Sequence, residues 1–153
     1  MDATTLALII SVSSLFISAS VAWIQNKNQQ IAAEKLKLEL FEKRFAVYQA
    51  AQKLLTQVLQ DGDIKELKYI FEYRRDTQVA YFLFDQEIVT YLSSLDKKAL
   101  DLWAKNEKAR AMDIGDERVR LSIEANGIAH ELINELPELQ KAFEPFLRFK
   151  SWS

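Results

Sequence analysis

The sequence predicts an all-α protein with one N-terminal transmembrane helix followed by an antiparallel helical bundle of four to five helices. Three observations carry this. The run from Thr4 to Ile24, TTLALIISVSSLFISASVAWI, holds no charged residue over 21 positions. At 1.5 Å per residue that is roughly 31 Å of helix, matching a bilayer core of about 30 Å. The whole chain of 153 residues contains only three glycines and two prolines, which leaves little material for hairpins or long loops. Ala, Leu, Glu, Lys and Gln dominate what remains, all strong helix formers, and the apolar residues recur at three- and four-residue steps. The expected division is a span over residues 1–25 and a helical domain over residues 26–153, the size of one ordinary domain.

A cleaved signal peptide is the competing reading of the first run. It would carry Lys or Arg ahead of the apolar stretch, where only Asp2 stands, although Ser20-Val21-Ala22 offers the small residues a peptidase accepts. The flanks set the orientation. No basic residue precedes the run, whereas Lys27, Lys35, Lys37, Lys43 and Arg44 follow it, so the positive-inside rule puts the N-terminus outside and the helical domain in the cytoplasm of a bacterial inner membrane. The absence of cysteine is compatible with either compartment.

On a helix at 100° per residue, Thr4, Ala7, Ser11, Ser14, Ser18, Ala22 and Gln25 fall within an arc of about 80°. A stripe of small and hydroxylated residues lets helices approach closely and hydrogen-bond, so Thr4, Ser11, Ser14, Ser18 and Gln25 are candidates for a span interface or, in an oligomer, for a pore lining. Serines also occur singly in membrane helices by bonding back to their own backbone, and Ser13 and Ser20 lie nearly opposite the stripe.

Beyond the span, a helix is expected from about Gln30 to Gln60, with Ile31, Leu38, Phe41, Phe45, Tyr48, Leu55 and Val58 as its apolar positions. Asp61-Gly62-Asp63 ends it, and Asp63 with Glu66 reads as a capping box for the next helix, which carries Leu67, Ile70 and Phe71. Asp76 is placed to cap a restart through the apolar run 79–84, read as buried helix. Asp85 caps a helix through Ile88, Leu92, Leu95 and Trp103 to about Met112, as one piece or two abutting ones. A loop over residues 113–116 precedes a helix from Glu117 to Leu136, and Pro137 opens a short terminal helix ending near Phe149.

The chemistry on offer is sparse. With no cysteine and one histidine, a zinc site of ordinary composition is excluded, and no cofactor or metal is expected. No nucleophile elbow surrounds His130, and no Gly-rich phosphate loop exists. The carboxylates alternate with lysines as solvated helix faces do, so an enzyme is not expected. A net charge of −2 argues against duplex DNA as a partner. Arg74-Arg75 and Arg118 with Arg120 are the candidate contacts for RNA or a nucleotide.

Within Ala125-Asn126-Gly127-Ile128-Ala129-His130, the pair Asn126 and His130 resembles part of the arginine–polar–histidine motif of the helical ribonuclease-like domains called HEPN, with Ala125 at the arginine position. The resemblance implies a degenerate active site, in which the phosphate-handling arginine is missing. Three further stretches carry a second resemblance. Residues 38–48 (LELFEKRFAVY) resemble the "LFEKRxxVY" helix that follows a single N-terminal span in many small bacterial membrane proteins; residues 82–88 (FLFDQEI) and 143–149 (FEPFLRF) resemble their central junction and terminal motif. The layout is similar to that of the membrane-pore accessory proteins of type VI-B CRISPR systems. That resemblance implies a homo-oligomeric, pore-like effector that perturbs the lipid bilayer in anti-phage defence. A membrane-tethered adaptor whose bundle docks a cytosolic protein is the alternative, and a HEPN-like RNA-binding protein the second.

Overall fold

The computed structural model describes residues 3–148, with side chains from Ser20 onward except Ala22. Five helices follow in order: α1 (Ala3–Asp61), α2 (Leu67–Thr77), α3 (Ala80–Leu83), α4 (Gln86–Arg110) and α5 (Asp116–Leu147). The chain divides into two units, residues 1–39 and residues 40–153. Among the described residues of the first unit every side chain from Ser20 to Glu39 is exposed, Ile31 and Leu38 included, and Lys27 Nζ sits 5.8 Å from the Trp23 ring centre. Ile31 and Leu38, expected to be core positions, therefore bury nothing in this structure. Thr4, Ser11, Ser14 and Ser18 lie outside the described side chains, and Gln25 is exposed. Among the described residues no helix is long and apolar enough to cross a membrane.

In the second unit, α1 from residue 40, α2 with α3, α4 and α5 alternate in direction as a four-helix bundle. Cross-helix pairs tie the helices together. Lys53 on α1 meets Glu72 on α2 at 3.1 Å, and Arg74 on α2 meets Asp96 on α4 at 2.7 Å. Between α4 and α5, Lys98 pairs with Glu135 at 3.0 Å and Lys105 with Glu124 at 2.8 Å, which is an antiparallel register. The core comes from one stripe of each long helix: Val47, Ala51 and Leu55 of α1; Ile70 and Tyr73 of α2; Leu95, Ala99 and Leu102 of α4; Ala125, Leu132, Leu139 and Phe143 of α5. The Tyr73 hydroxyl, buried among them, donates to the Leu92 carbonyl at 2.8 Å, satisfying a polar tip that burial would otherwise penalise.

Several helix boundaries follow the expected chemistry. Gly62 ends α1 with φ 67°, the left-handed conformation that glycine adopts without a Cβ penalty, and its N–H donates to the Val58 carbonyl at 2.8 Å. Asp85 caps α4 by accepting from the Ile88 N–H at 3.1 Å.

Others need correction. Asp63 and Glu66 form no capping box. Asp63 accepts from the Ile64 N–H at 2.6 Å, from Asn106 and from Arg110, while Glu66 precedes α2 with no side-chain cap. Charged and amide donors across the bundle take the carboxylate that a local cap would have used. Asp76 caps nothing; it pairs with Arg75, and Val79 precedes α3.

The run 79–84 is one helical turn that turns only Ala80 fully inward, because so short a helix presents a single face to the core. Tyr81 and Phe82 are 68% and 82% exposed. Pro137 does not open a helix either. It lies inside the unbroken α5, on the exposed side, as does Pro145. The wholly buried Leu132, Leu139 and Phe143 keep the helix packed on both sides of Pro137.

Candidate functional site

The most densely built feature lies at the end of the bundle where residue 40 enters it. Three sequence stretches, 41–48, 83–84 and 143–146, converge there, brought together by α1, the α3–α4 junction and the last turns of α5. Phe41 and Phe45, one turn apart on α1, stack at 5.7 Å, and Phe45 stacks on Tyr48 at 5.9 Å. Tyr48 meets Phe143 at 5.6 Å. Phe84 packs edge-on to Phe143 at 5.1 Å and to Phe146 at 5.2 Å. These are the offset and edge-to-face geometries that ring quadrupoles favour.

Arg44 closes the cluster. Its guanidinium lies 5.8 Å from the Phe84 ring centre and 5.6 Å from that of Phe146, and Nε donates to the Leu83 carbonyl at 3.1 Å. Partial burial pulls its pKa below the usual arginine value, though a guanidinium stays protonated throughout. The planar fork bonds a backbone acceptor edge-on while its faces meet aromatic rings, which a lysine cannot reproduce. Glu42 and Lys43, its neighbours in sequence, are exposed. The arrangement is a clasp. It binds three chain segments with a cation, a carbonyl and rings.

A shallow groove of about 370 Å³ adjoins it, lined by Asp85, Tyr91, Lys141 and Phe146 among others. Behind it, the Tyr91 hydroxyl donates to Glu135 Oε2 at 3.2 Å, and Lys98 reaches Glu135 at 3.0 Å and Glu131 at 3.3 Å. Burial, then the Glu135 carboxylate, drives the Tyr91 pKa upward. Hydrogen bonding to Glu135 raises that of Lys98.

The remaining expected site residues stay dispersed. Asn126 and His130 are both exposed on α5, but Ala125 is only 1% exposed and faces the core. The alanine at position 125 therefore does not share their surface. Arg74 is held bidentately by Asp96, at 2.7 and 2.9 Å, and hydrogen bonding to that carboxylate raises its pKa. Arg75 pairs with Asp76 at 2.9 Å. Arg118 donates to the Met112 carbonyl at 3.4 Å, and Arg120 stands 3.8 Å from both Glu117 and Glu124. Each candidate nucleic-acid arginine thus has a carboxylate or carbonyl partner within its own chain, and the two pairs sit on different helices rather than in one basic patch. Among the described residues no group of histidine and carboxylate side chains could hold a metal ion.

Comparison with protein-family models, curated proteins and solved structures finds no match to this chain.

Two features of the clasp lie beyond the reach of spacing rules. The partner of Arg44 is a backbone carbonyl 39 residues away. The convergence of 41–48, 83–84 and 143–146 is visible only in three dimensions, though the aromatic density of each stretch is a signal that something there is packed.

Proposed function

We propose that this chain is a membrane-tethered, self-associating helical protein that acts on the bilayer rather than on a chemical substrate. The observation that carries the reading is the uncharged run from Thr4 to Ile24, which belongs to the same helix, α1, that supplies the first wall of the bundle. The small, hydroxylated stripe Ser11, Ser14, Ser18 supports association of spans. The layout resembles pore-like defence effectors, and the scattered, internally paired arginines and the exposed His130 weaken the RNA-processing reading.

The test uses the full chain expressed in bacterial membranes, with a potential-sensitive dye and light scattering of the solubilised protein. A multi-subunit mass with loss of membrane potential, both abolished when Ser11, Ser14 and Ser18 are replaced by leucine, is the expected result. A carbonate-extractable chain, or a monomer that leaves the potential intact, overturns it. A tethered adaptor is the second reading, favoured by the solvent-facing Tyr81 and Phe82 of α3. It predicts a stoichiometric cytosolic partner lost on Phe82→Ser.

A further inference from the structure

The uncharged run leads into a short stretch of distinctive composition. Residues 25–30 read QNKNQQ, five amides and one lysine, and Lys27 is the single charge between Asp2 and Glu34. All six side chains are exposed on α1, and six consecutive residues at about 100° per step go fully round a helix. A helix that docks on a partner helix keeps its contacts to one stripe. A collar that is polar on every side and nearly free of charge suits a surrounding layer that is the same in all directions. Its length agrees. At 1.5 Å per residue the collar covers about 9 Å, against roughly 5–8 Å for the headgroup layer of one leaflet. The apolar side of the boundary is marked as well: Val21, Trp23 and Ile24 are 47%, 65% and 50% exposed. Lys27 Nζ leans back to 5.8 Å from the Trp23 ring centre, and Glu34, the nearest carboxylate in sequence, lies about two turns further on.

We propose that residues 23–30 form a phospholipid-headgroup collar, with Trp23 at the boundary between acyl chains and headgroups and Lys27 on the phosphate of an anionic lipid. The chemistry runs in order of depth. The indole has an apolar body and one N–H donor, which suits a layer that is oily on one side and wet on the other. The ammonium one turn further on meets the phosphates, where a cation close to an anionic surface is stabilised. The five amides around it donate to phosphate and ester oxygens on every side of the helix. The absence of acids between Asp2 and Glu34 leaves nothing to repel those phosphates. The proposal rests on the membrane-tethered reading. It adds to it where along α1 the bilayer ends and which class of lipid the chain prefers.

Two measurements on the full chain test it. The parent and a Trp23→Phe chain are reconstituted in phosphatidylcholine vesicles carrying bromine either near the headgroup end or near the tail end of the acyl chains. The difference between the two chains isolates Trp23 from Trp103 and Trp152. That difference signal should be quenched more strongly by the bromine near the headgroup. Native mass spectrometry of the detergent-solubilised chain then compares retention of phosphatidylglycerol with that of phosphatidylcholine. The parent should retain the anionic lipid about fivefold more, Lys27→Gln should lose that preference and Lys27→Arg should restore it. Carbonate extraction of the same membranes separates the two levels of the argument. An extractable chain overturns the tether, and this proposal with it. A chain that stays in the membrane while Trp23 is insensitive to either bromine, or is quenched more from the tail end, overturns the collar alone. So does a preference for phosphatidylglycerol that survives Lys27→Gln.

Discussion

Replacing Arg44 with alanine removes, among its interactions, a charge-assisted hydrogen bond to the Leu83 carbonyl at 3.1 Å and the cation–ring contacts with Phe84 and Phe146. A hydrogen bond to a charged group contributes about 1.5–3 kcal/mol when its partner is buried. Arg44 is half-buried, so the low end applies. Each cation–ring contact at such a site adds about 0.5 kcal/mol. The sum is about 2.5 kcal/mol, or a fall in Tm of roughly 10 °C for a bundle of this size. Arg44→Lys keeps the charge but not the planar fork, and should lose about half as much.

The assay is thermal unfolding of the solubilised full chain, followed by circular dichroism at 222 nm. A double-mutant cycle with Phe146→Leu should show coupling of about 0.5 kcal/mol or more. A Tm for Arg44→Ala within about 1 °C of the parent, or a lysine variant as damaged as alanine, refutes the clasp as an energetic feature.

Three more expectations follow from local geometry. Asp85→Ala removes the α4 cap and should cost about 1 kcal/mol in urea unfolding, with Asp85→Asn recovering most of it. Gly62→Ala forces a Cβ into the left-handed region and should cost about 1–2 kcal/mol by the same measurement. Burial raises the Tyr73 pKa well above that of a free tyrosine, so above about pH 10 the unfolded chain loses a proton that the folded chain keeps. Stability is therefore complete below that pH and falls as pH rises through it, by about 1.4 kcal/mol per unit for this one group. Tyr73→Phe should flatten that limb in a pH series of unfolding midpoints, leaving the share due to Tyr91, whose pKa is raised as well.

The all-helical bundle was legible because it rests on short-range facts: apolar spacing, the scarcity of glycine and proline, and strong single-residue signals such as Gly62 and Asp85. The misreadings share one cause. Asp63, Asp76 and Pro137 each have a strong local preference, and in each case another interaction, local or tertiary, decides. Asp63 goes to Asn106 and Arg110 across the bundle, Asp76 to the adjacent Arg75, and Pro137 is absorbed because its face is wet and its flanks are buried. The run 79–84 misleads by composition. Six apolar residues in a row read as core, but a single turn of helix turns few of them inward. Ile31 and Leu38 keep the helical period in a segment with no neighbouring helix among the described residues to bury them.

The functional reading turns on the same distinction between pattern and placement. Asn126 and His130 have the spacing of one helical face, and they do share it. The position that would complete the motif, Ala125, is buried in the core rather than exposed beside Asn126 and His130. An Ala125→Arg chain should lose stability by burying a charge with no partner rather than acquire nuclease activity. By contrast, 41–48, 83–84 and 143–146 share no local spacing, yet they meet at one end of the bundle around Arg44. A cation held by rings and a carbonyl has no free electron pair to give and no proton to lend at neutral pH. What it can do is tie the entry of α1 to the ends of α3 and α5, so that these segments separate together or not at all.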